Sequence, residues 1–416
     1  MKPTATGRRF FYGYIIVLAS FIVLVLGWGI YYSYGVFFGP LMDEFQWTRA
    51  VTSGAFSIAV FVSGLLGIFA GRLSDRLGPR IVVTFSAGLL SLGYMLMFLV
   101  QNTWQFYLLY GVLIAAGVGG FWSPPVSTVA RWFVGRRGLM TGIVSGGISF
   151  GTIVLPPVVT QIIAIYGWRL SYLIIGIATL VVVVTAAQFI RKSPEQMGLS
   201  PQGKARTSSP NVSPLPGFSL KEAFYTRQFW MVSLIYFGFG LALLTIIVHM
   251  VPYATGIGIS DINAATVLSV LGGLSLVGRI GMGSITDRLR VKVSTIICLG
   301  LLTGSLIWLQ FSDNLWKLYA FAVVFGFGYG GLSCLQSLIA ADLFGLAILG
   351  VVTAIFSFSY CAGGAVGPVV AGYLFDIGGS YRWAFVLCLV MVVIALFIGL
   401  SLKSPKKVRR RGPSVS

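Results

Sequence analysis

A chain of 416 residues that is 57% hydrophobic and only 9% charged is not an ordinary soluble protein, in which roughly a quarter of the residues carry charge. Its net charge of +19 would suit a nucleic-acid partner. The basic residues, however, stand in short groups at the ends of long apolar runs, as at a cytoplasmic membrane surface, so nucleic acid is excluded as the partner and a lipid bilayer takes its place.

The apolar runs predict an all-α membrane protein of twelve transmembrane helices, each able to cross a hydrocarbon core of about 30 Å at 1.5 Å per residue. Lys2, Arg8 and Arg9 precede the first, near 13–39. That run is too long for a signal peptide and lacks a small-residue cleavage site, so it reads as a retained span. Further helices are expected near 48–70, 81–100, 104–131, 138–165 and 168–190, which makes 1–190 an N-terminal six-helix half. The segment 191–227 reads as a solvated cytoplasmic linker, with Arg191, Lys192, Lys204 and Arg206, a Ser/Pro-rich run from Ser208 to Pro216, and a short surface helix over Lys221–Phe229. Helices resume near 228–257, 260–286, 291–312, 316–345, 346–376 and 381–402, forming a C-terminal half over 228–402. A basic cytoplasmic tail, 403–416, follows.

With both termini inside, 24 of the 29 lysines and arginines fall on the cytoplasmic side. Arg49, Arg169, Lys317 and Arg382 fall outside, and Arg279 lies within a span. This asymmetry sets the orientation and places the protein in the plasma (inner) membrane. The sequon at Asn211 then faces the cytoplasm and carries no glycan. Cys298, Cys334, Cys361 and Cys388 all lie in apolar segments and read as small buried hydrophobes. No metal cluster, nucleotide loop or nucleophile triad is written in the chain, so neither an enzyme nor a cofactor is expected.

The sequence repeats itself. GRLSDRLGPR at 71–80 follows helix 2, and GSITDRLRVK at 283–292 follows helix 8, 212 residues later. Tyr166, Gly167, Trp168 and Arg169 have a looser echo in Tyr381, Arg382 and Trp383. Both copies keep one topology, so the halves are parallel repeats.

These residues resemble the major facilitator superfamily over essentially the whole chain, the 71–80 stretch matching its signature between helices 2 and 3. Within it the chain is similar to the monocarboxylate transporter family. WFVGRRGLMTG at 132–142, continuing to Ser145, Gly146 and Gly147, matches that family's signature entering helix 5, and Tyr166–Arg169 and the helix 8 arginine also fit. Alternating access is expected, and the expected oligomeric state is a monomer. Bacterial oxalate/formate-type exchangers share several of these features, although their Gly-Pro signature in helix 5 is not present in clean form. Two positions depart from the family. Ser275 stands where animal members have an aspartate, and Tyr32 stands where they have a helix 1 lysine.

Cytoplasmic gating is expected of Asp75 and Arg76, with Asp75 facing the positive N-terminal end of helix 11 near Leu346, and of Asp287 and Arg288 by the repeat. Arg279 and His249 are the two basic side chains well inside the spans, and none of the ten acidic residues lies at mid-membrane. Each is eight residues, about 12 Å, from one end of its helix, so the two differ in depth by only about 6 Å. An intramembrane arginine without a carboxylate partner invites a substrate carboxylate. Shifting by the repeat puts Gly67 opposite Arg279 and Phe37 opposite His249, so the charge exists in one half only. One cation suits one carboxylate, which points to a small monocarboxylate such as lactate or pyruvate, travelling with a proton carried or sensed by His249. Tyr32, Tyr34, Ser275, Tyr329, Phe358 and Cys361 complete the candidate substrate site, with Trp122 and Ser123 as weaker candidates. Gly142, Gly146, Gly147 and Gly151 of helix 5, and Gly363, Gly364, Gly367 and Gly372 of helix 11, are expected where the halves slide. An anion exchanger and a non-transporting carboxylate receptor are the alternative readings.

Overall fold

The computed structural model describes residues 11–133, 137–200, 220–286, 289–345 and 348–402. Eleven helices there are long and apolar enough to span a bilayer, and one of them, Leu139–Gln188, is 50 residues long. A straight helix of that length would reach about 75 Å, far beyond one bilayer. Gly167 resolves the mismatch, because its φ of 73° and ψ of 164° break the helix. The described residues therefore hold twelve spans. They are α1 Gly13–Phe45, α2 Arg49–Leu77, α3 Pro79–Met97, α4 Thr103–Trp132, α5 137–166 and α6 168–188 in one half. In the other they are α7 Arg227–Gly256, α8 Asp261–Thr286, α9 Val291–Leu309, α10 Leu315–Phe344, α11 Leu349–Gly378 and α12 Arg382–Ser401.

The ends follow local chemistry. Thr48, Thr226 and Asn314 cap α2, α7 and α10 by accepting from the backbone N–H three residues on. Two spans differ from the continuous helices expected. α1 extends to Phe45 and kinks at Ser33, whose hydroxyl donates to the Gly29 carbonyl at 2.8 Å. α4 passes through a π-helical stretch, Tyr107–Ile114, and is interrupted at 120–122 before restarting at Ser123. There Gly117 and Gly120 sit so close to Leu90 and Ser86 of α3 that no side chain would fit. The surface helix before α7 is shorter than expected, Leu220–Phe224.

The packing bears out the repeat. Within one half α1 packs on α5, α2 on α4 and α3 on α6; in the other α7 packs on α11, α8 on α10 and α9 on α12. Between halves, α2 meets α11 and α5 meets α8, two contacts that interchange under the same pairing. The end bearing the basic loops is termed inner and the opposite end outer.

The expected glycines mostly serve the halves themselves. Gly147 and Gly151 bring α5 against α1, and Gly363, Gly364 and Gly367 bring α11 against α7. Gly146, beside Leu276, and Gly372, beside Arg49, face the opposite half, and Gly142 faces open space. The same periodicity serves any close helix pair, so sequence alone could not separate the two uses.

Candidate functional site

Arg279 projects from α8, half-buried, with its guanidinium carbon 5.7 Å from the centre of the Tyr329 ring of α10. Its Nε is buried and has no hydrogen-bond partner among the described residues. A buried donor left unmade costs about 1–3 kcal/mol, more for a charged group, so the position calls for an acceptor. Tyr32 of α1 lies near Arg279, Tyr329 and Tyr360 of α11. Cys334 is close enough to feel the Arg279 charge, and Cys361 lies near Tyr32. Helices from both halves thus converge here, with Tyr329 and Tyr32 beside the cation and Tyr360 beside those two tyrosines. Tyr360 was missed from sequence although it neighbours Cys361; nothing in an apolar run marks which face a tyrosine takes.

Other candidates lie elsewhere. The Tyr34 hydroxyl donates to the Thr52 carbonyl, inside the N-terminal half. Phe358 packs edge-on against Phe61 of α2, ring centres 6.0 Å apart. Trp122 is exposed at the α4 break, and Ser123 lies against Gly71. Ser275, fully buried, does not face Arg279's tyrosines. It donates to the Gly272 carbonyl at 2.7 Å and lies 2.8 Å from the Ser149 hydroxyl across the α5–α8 seam. Of the gating residues, Arg76 is exposed at the inner end of α2. The Asp75 side chain, Asp287, Arg288 and Leu346 lie outside the described residues, as do Asn211 and the tail.

His249 belongs to a second group, at the outer end. Its Nε2 lies 2.8 Å from the Pro368 carbonyl of α11 and its Nδ1 3.0 Å from the Tyr381 hydroxyl at the start of α12. A carbonyl can only accept, so Nε2 carries hydrogen. The Arg49 guanidinium of α2 donates to the Tyr381 oxygen at 2.6 Å, and Tyr381 can therefore give its own proton to Nδ1. This network assigns a neutral imidazole. Arg49 also stacks over the rings of Phe375 and Tyr381, at 3.9 and 5.1 Å. The Asp376 carboxylate takes the backbone N–H groups of Arg49 and Ala50, at 2.9 and 2.8 Å, so it sits on the positive end of α2. These contacts run between halves and close the outer end.

Both nitrogens of His249 are thus engaged away from Arg279. Similar depth, within about 6 Å, did not bring the pair together, because depth says nothing of which way a helix face turns. The partners had one signal each: Arg49 is a rare outer cation, and Tyr381 begins the echo of Tyr166–Arg169. That first copy does structural work. Arg169 pairs with Glu44 at 2.5 Å and donates to the carbonyls of Phe98 and Val100, while the Trp168 indole donates to Glu44. An outer cavity of about 320 Å³ also lies between halves, lined by Gly35, Gly39, Thr160, Val251 and Asp261 among others. None of the expected site residues borders it.

The family profile described as Major Facilitator Superfamily matches residues 17–368. The chain belongs to the major facilitator superfamily. Among curated relatives, human "Monocarboxylate transporter 7" is 28% identical, covering 95% of this chain and 87% of its own length. Mouse "Monocarboxylate transporter 12" is 27% identical, covering 93% and 85%. The resemblance to monocarboxylate transporters therefore holds along nearly the whole chain. A solved bacterial homologue of the human lysosomal transporter Spinster, in an inward-facing and unoccupied conformation, superposes with a TM-score of 0.72 at 16% identity. It covers 95% of this chain and 97% of the solved one, and it establishes the fold.

Proposed function

We propose that this superfamily member is a secondary active transporter of small monocarboxylates of the lactate or pyruvate type, working by alternating access with both termini in the cytoplasm of a plasma-membrane cell boundary. The observation that carries this reading is the buried Nε of Arg279, without a hydrogen-bond partner among the described residues, beside the tyrosines of α1 and α10. A carboxylate binds such a planar fork through two parallel hydrogen bonds, and the Tyr32, Tyr329 and Tyr360 hydroxyls suit the oxygen of a 2-hydroxy or 2-oxo acid. One cation against one carboxylate leaves the loaded site neutral, which lowers the cost of moving it between aqueous sides.

Proton coupling enters at the outer gate. The closed network needs His249 neutral, because Tyr381 spends its only proton on Nδ1 while accepting from Arg49. A proton on His249 would turn Nδ1 into a donor and set a second cation beside Arg49, with Asp376 offsetting part of that repulsion. Acid outside therefore favours the outward-open form, in which substrate loads. His249 acts in this scheme as a sensor that ties opening to the outer proton supply.

Uptake of radiolabelled lactate into proteoliposomes tests the reading. A symporter accumulates lactate under an inward proton gradient. An exchanger needs an internal counter-anion, and a receptor accumulates nothing under either condition. Loss of accumulation in Arg279→Ala is expected, and full retention would refute the site.

A further inference from the structure

At the inner end, the chain leaving α6 does not simply enter the linker. The Tyr12 hydroxyl donates to the Phe189 carbonyl at 3.0 Å, and the Trp132 indole donates to the Arg191 carbonyl at 2.9 Å. A short 3-10 helix, Pro194–Met197, follows and closes on itself through Gly198 and Leu199. This pinned segment folds beside the α2–α3 turn and encloses a cavity of about 270 Å³. Its walls carry the basic residues Arg76, Arg80, Arg191 and Lys192, and no acidic residue lines it among the described residues. The first turn of α3, Pro79 to Ile81, forms another wall, and that helix end adds about half a positive charge. The nearby Glu195 is exposed and anionic, Ser193 holding its carboxyl below the usual range, and it is not among the residues that line the cavity.

The rim of this cavity is apolar. Leu77 and Ile81 both line it and are about half exposed, at 52% and 55%. Ile81 and Phe85, four residues apart and both exposed, start a stripe on one face of α3 that Leu92 continues. A concave cluster of cations opening onto an apolar helix face at the membrane surface matches a molecule with an anionic head and acyl tails.

We propose that this cavity binds the phosphate of an anionic phospholipid headgroup, with the acyl chains lying along α3. The assignment is independent of the transported substrate. It depends on the proposed orientation only for which leaflet supplies the lipid.

The test uses the full-length protein in detergent, given phosphatidylglycerol, phosphatidylcholine or inorganic phosphate, with thermal stability and native mass spectrometry as readouts. Phosphatidylglycerol should stabilise the protein and stay bound, whereas phosphatidylcholine should do neither. Inorganic phosphate alone giving equal protection would assign the site to free phosphate and overturn the lipid. Arg80→Gln and Arg191→Gln should each weaken phosphatidylglycerol binding about fivefold, as expected for one cation near an anionic surface. Lys317→Gln, at the outer end, should leave it unchanged. A photoactivatable phosphatidylglycerol provides a readout on the unaltered chain, and its crosslinks should fall on residues 76–81 and 190–196. Crosslinks spread evenly over the other basic loops, or equal binding of the two lipids, would refute the proposal.

Discussion

The Asp376 carboxylate, at the outer end of α11, lies 2.9 Å from the backbone nitrogen of Arg49 at the first residue of α2. It is a cap supplied by the opposite half, and it turns the unsatisfied N–H groups of a helix start into a device that registers whether the halves have met. Gly35 completes the closure: a Cβ there would lie 2.8 Å from the Val248 carbonyl, next to His249, so α1 and α7 are as close as backbones allow.

Asp376→Asn should loosen this closure. An amide accepts from one N–H but lacks the charge that favours the helix end, and charge-assisted hydrogen bonds contribute about 1.5–3 kcal/mol. About tenfold more of the outward-open form is expected. Maleimide labelling of Ser53→Cys, buried against Gly372 of α11, in a cysteine-free protein reads that population. Unchanged labelling from the outer side would dismiss the cap as a gate element.

His249→Gln separates hydrogen bonding from titration. A glutamine can donate its amide N–H to the Pro368 carbonyl and accept from Tyr381, reproducing the neutral imidazole. Transport should persist while the rise in initial uptake rate on acidifying the outer solution through the ordinary histidine range, near pH 6.5, disappears. The sign is fixed by the network: acid charges the wild-type imidazole, opposes outer closure and exposes the site. A variant with the full wild-type pH profile would remove His249 from coupling.

At the substrate site the geometry demands more than charge. Arg279→Lys keeps a cation but loses the planar fork, so KM for lactate should rise by at least tenfold. Tyr32→Phe removes one hydroxyl and should raise KM about fivefold. Equal KM values in wild type and Tyr32→Phe would leave Tyr32 as packing for Tyr360 only.

The parts of this architecture legible in sequence are those whose signal is local. A run of apolar residues has one meaning in a bilayer, so the twelve spans and the break beside Trp168 could be read directly. Arg279 could be read as well, because a charge inside such a run is costly wherever it points. The outer gate could not. His249 reaches Tyr381 across 132 residues and Arg49 reaches it across 332, and neither pairing leaves a trace in spacing. The rotation of each helix was hidden for a related reason: a span surrounded by lipid and by other helices is apolar on every side, so Ser275 and Tyr34 gave no sign of turning away from Arg279.

Ser275 provides the last test, because the resemblance expects an aspartate there. Its hydroxyl, which donates to the Gly272 carbonyl, meets that of Ser149 inside a buried seam between the halves. Gly272 lies against the Ser149 carbonyl and Thr152, so the two helices pack closely there. Ser275→Asp would bury a carboxylate that only Ser149 could serve, and an ion removed from water without a countercharge costs several kcal/mol. The acid would hold a proton, or the α5–α8 seam would part to hydrate it. The expected result is a clear loss of thermal stability at neutral pH that shrinks as the solution is acidified toward pH 5, where protonation removes the charge. Ser149→Ala in the same background should deepen the loss by removing the one hydroxyl able to donate to the new carboxylate. Stability equal to wild type at neutral pH would mean that a cation, Arg279 four residues on, swings to meet the carboxylate, and would restore the charged pair that the serine replaces.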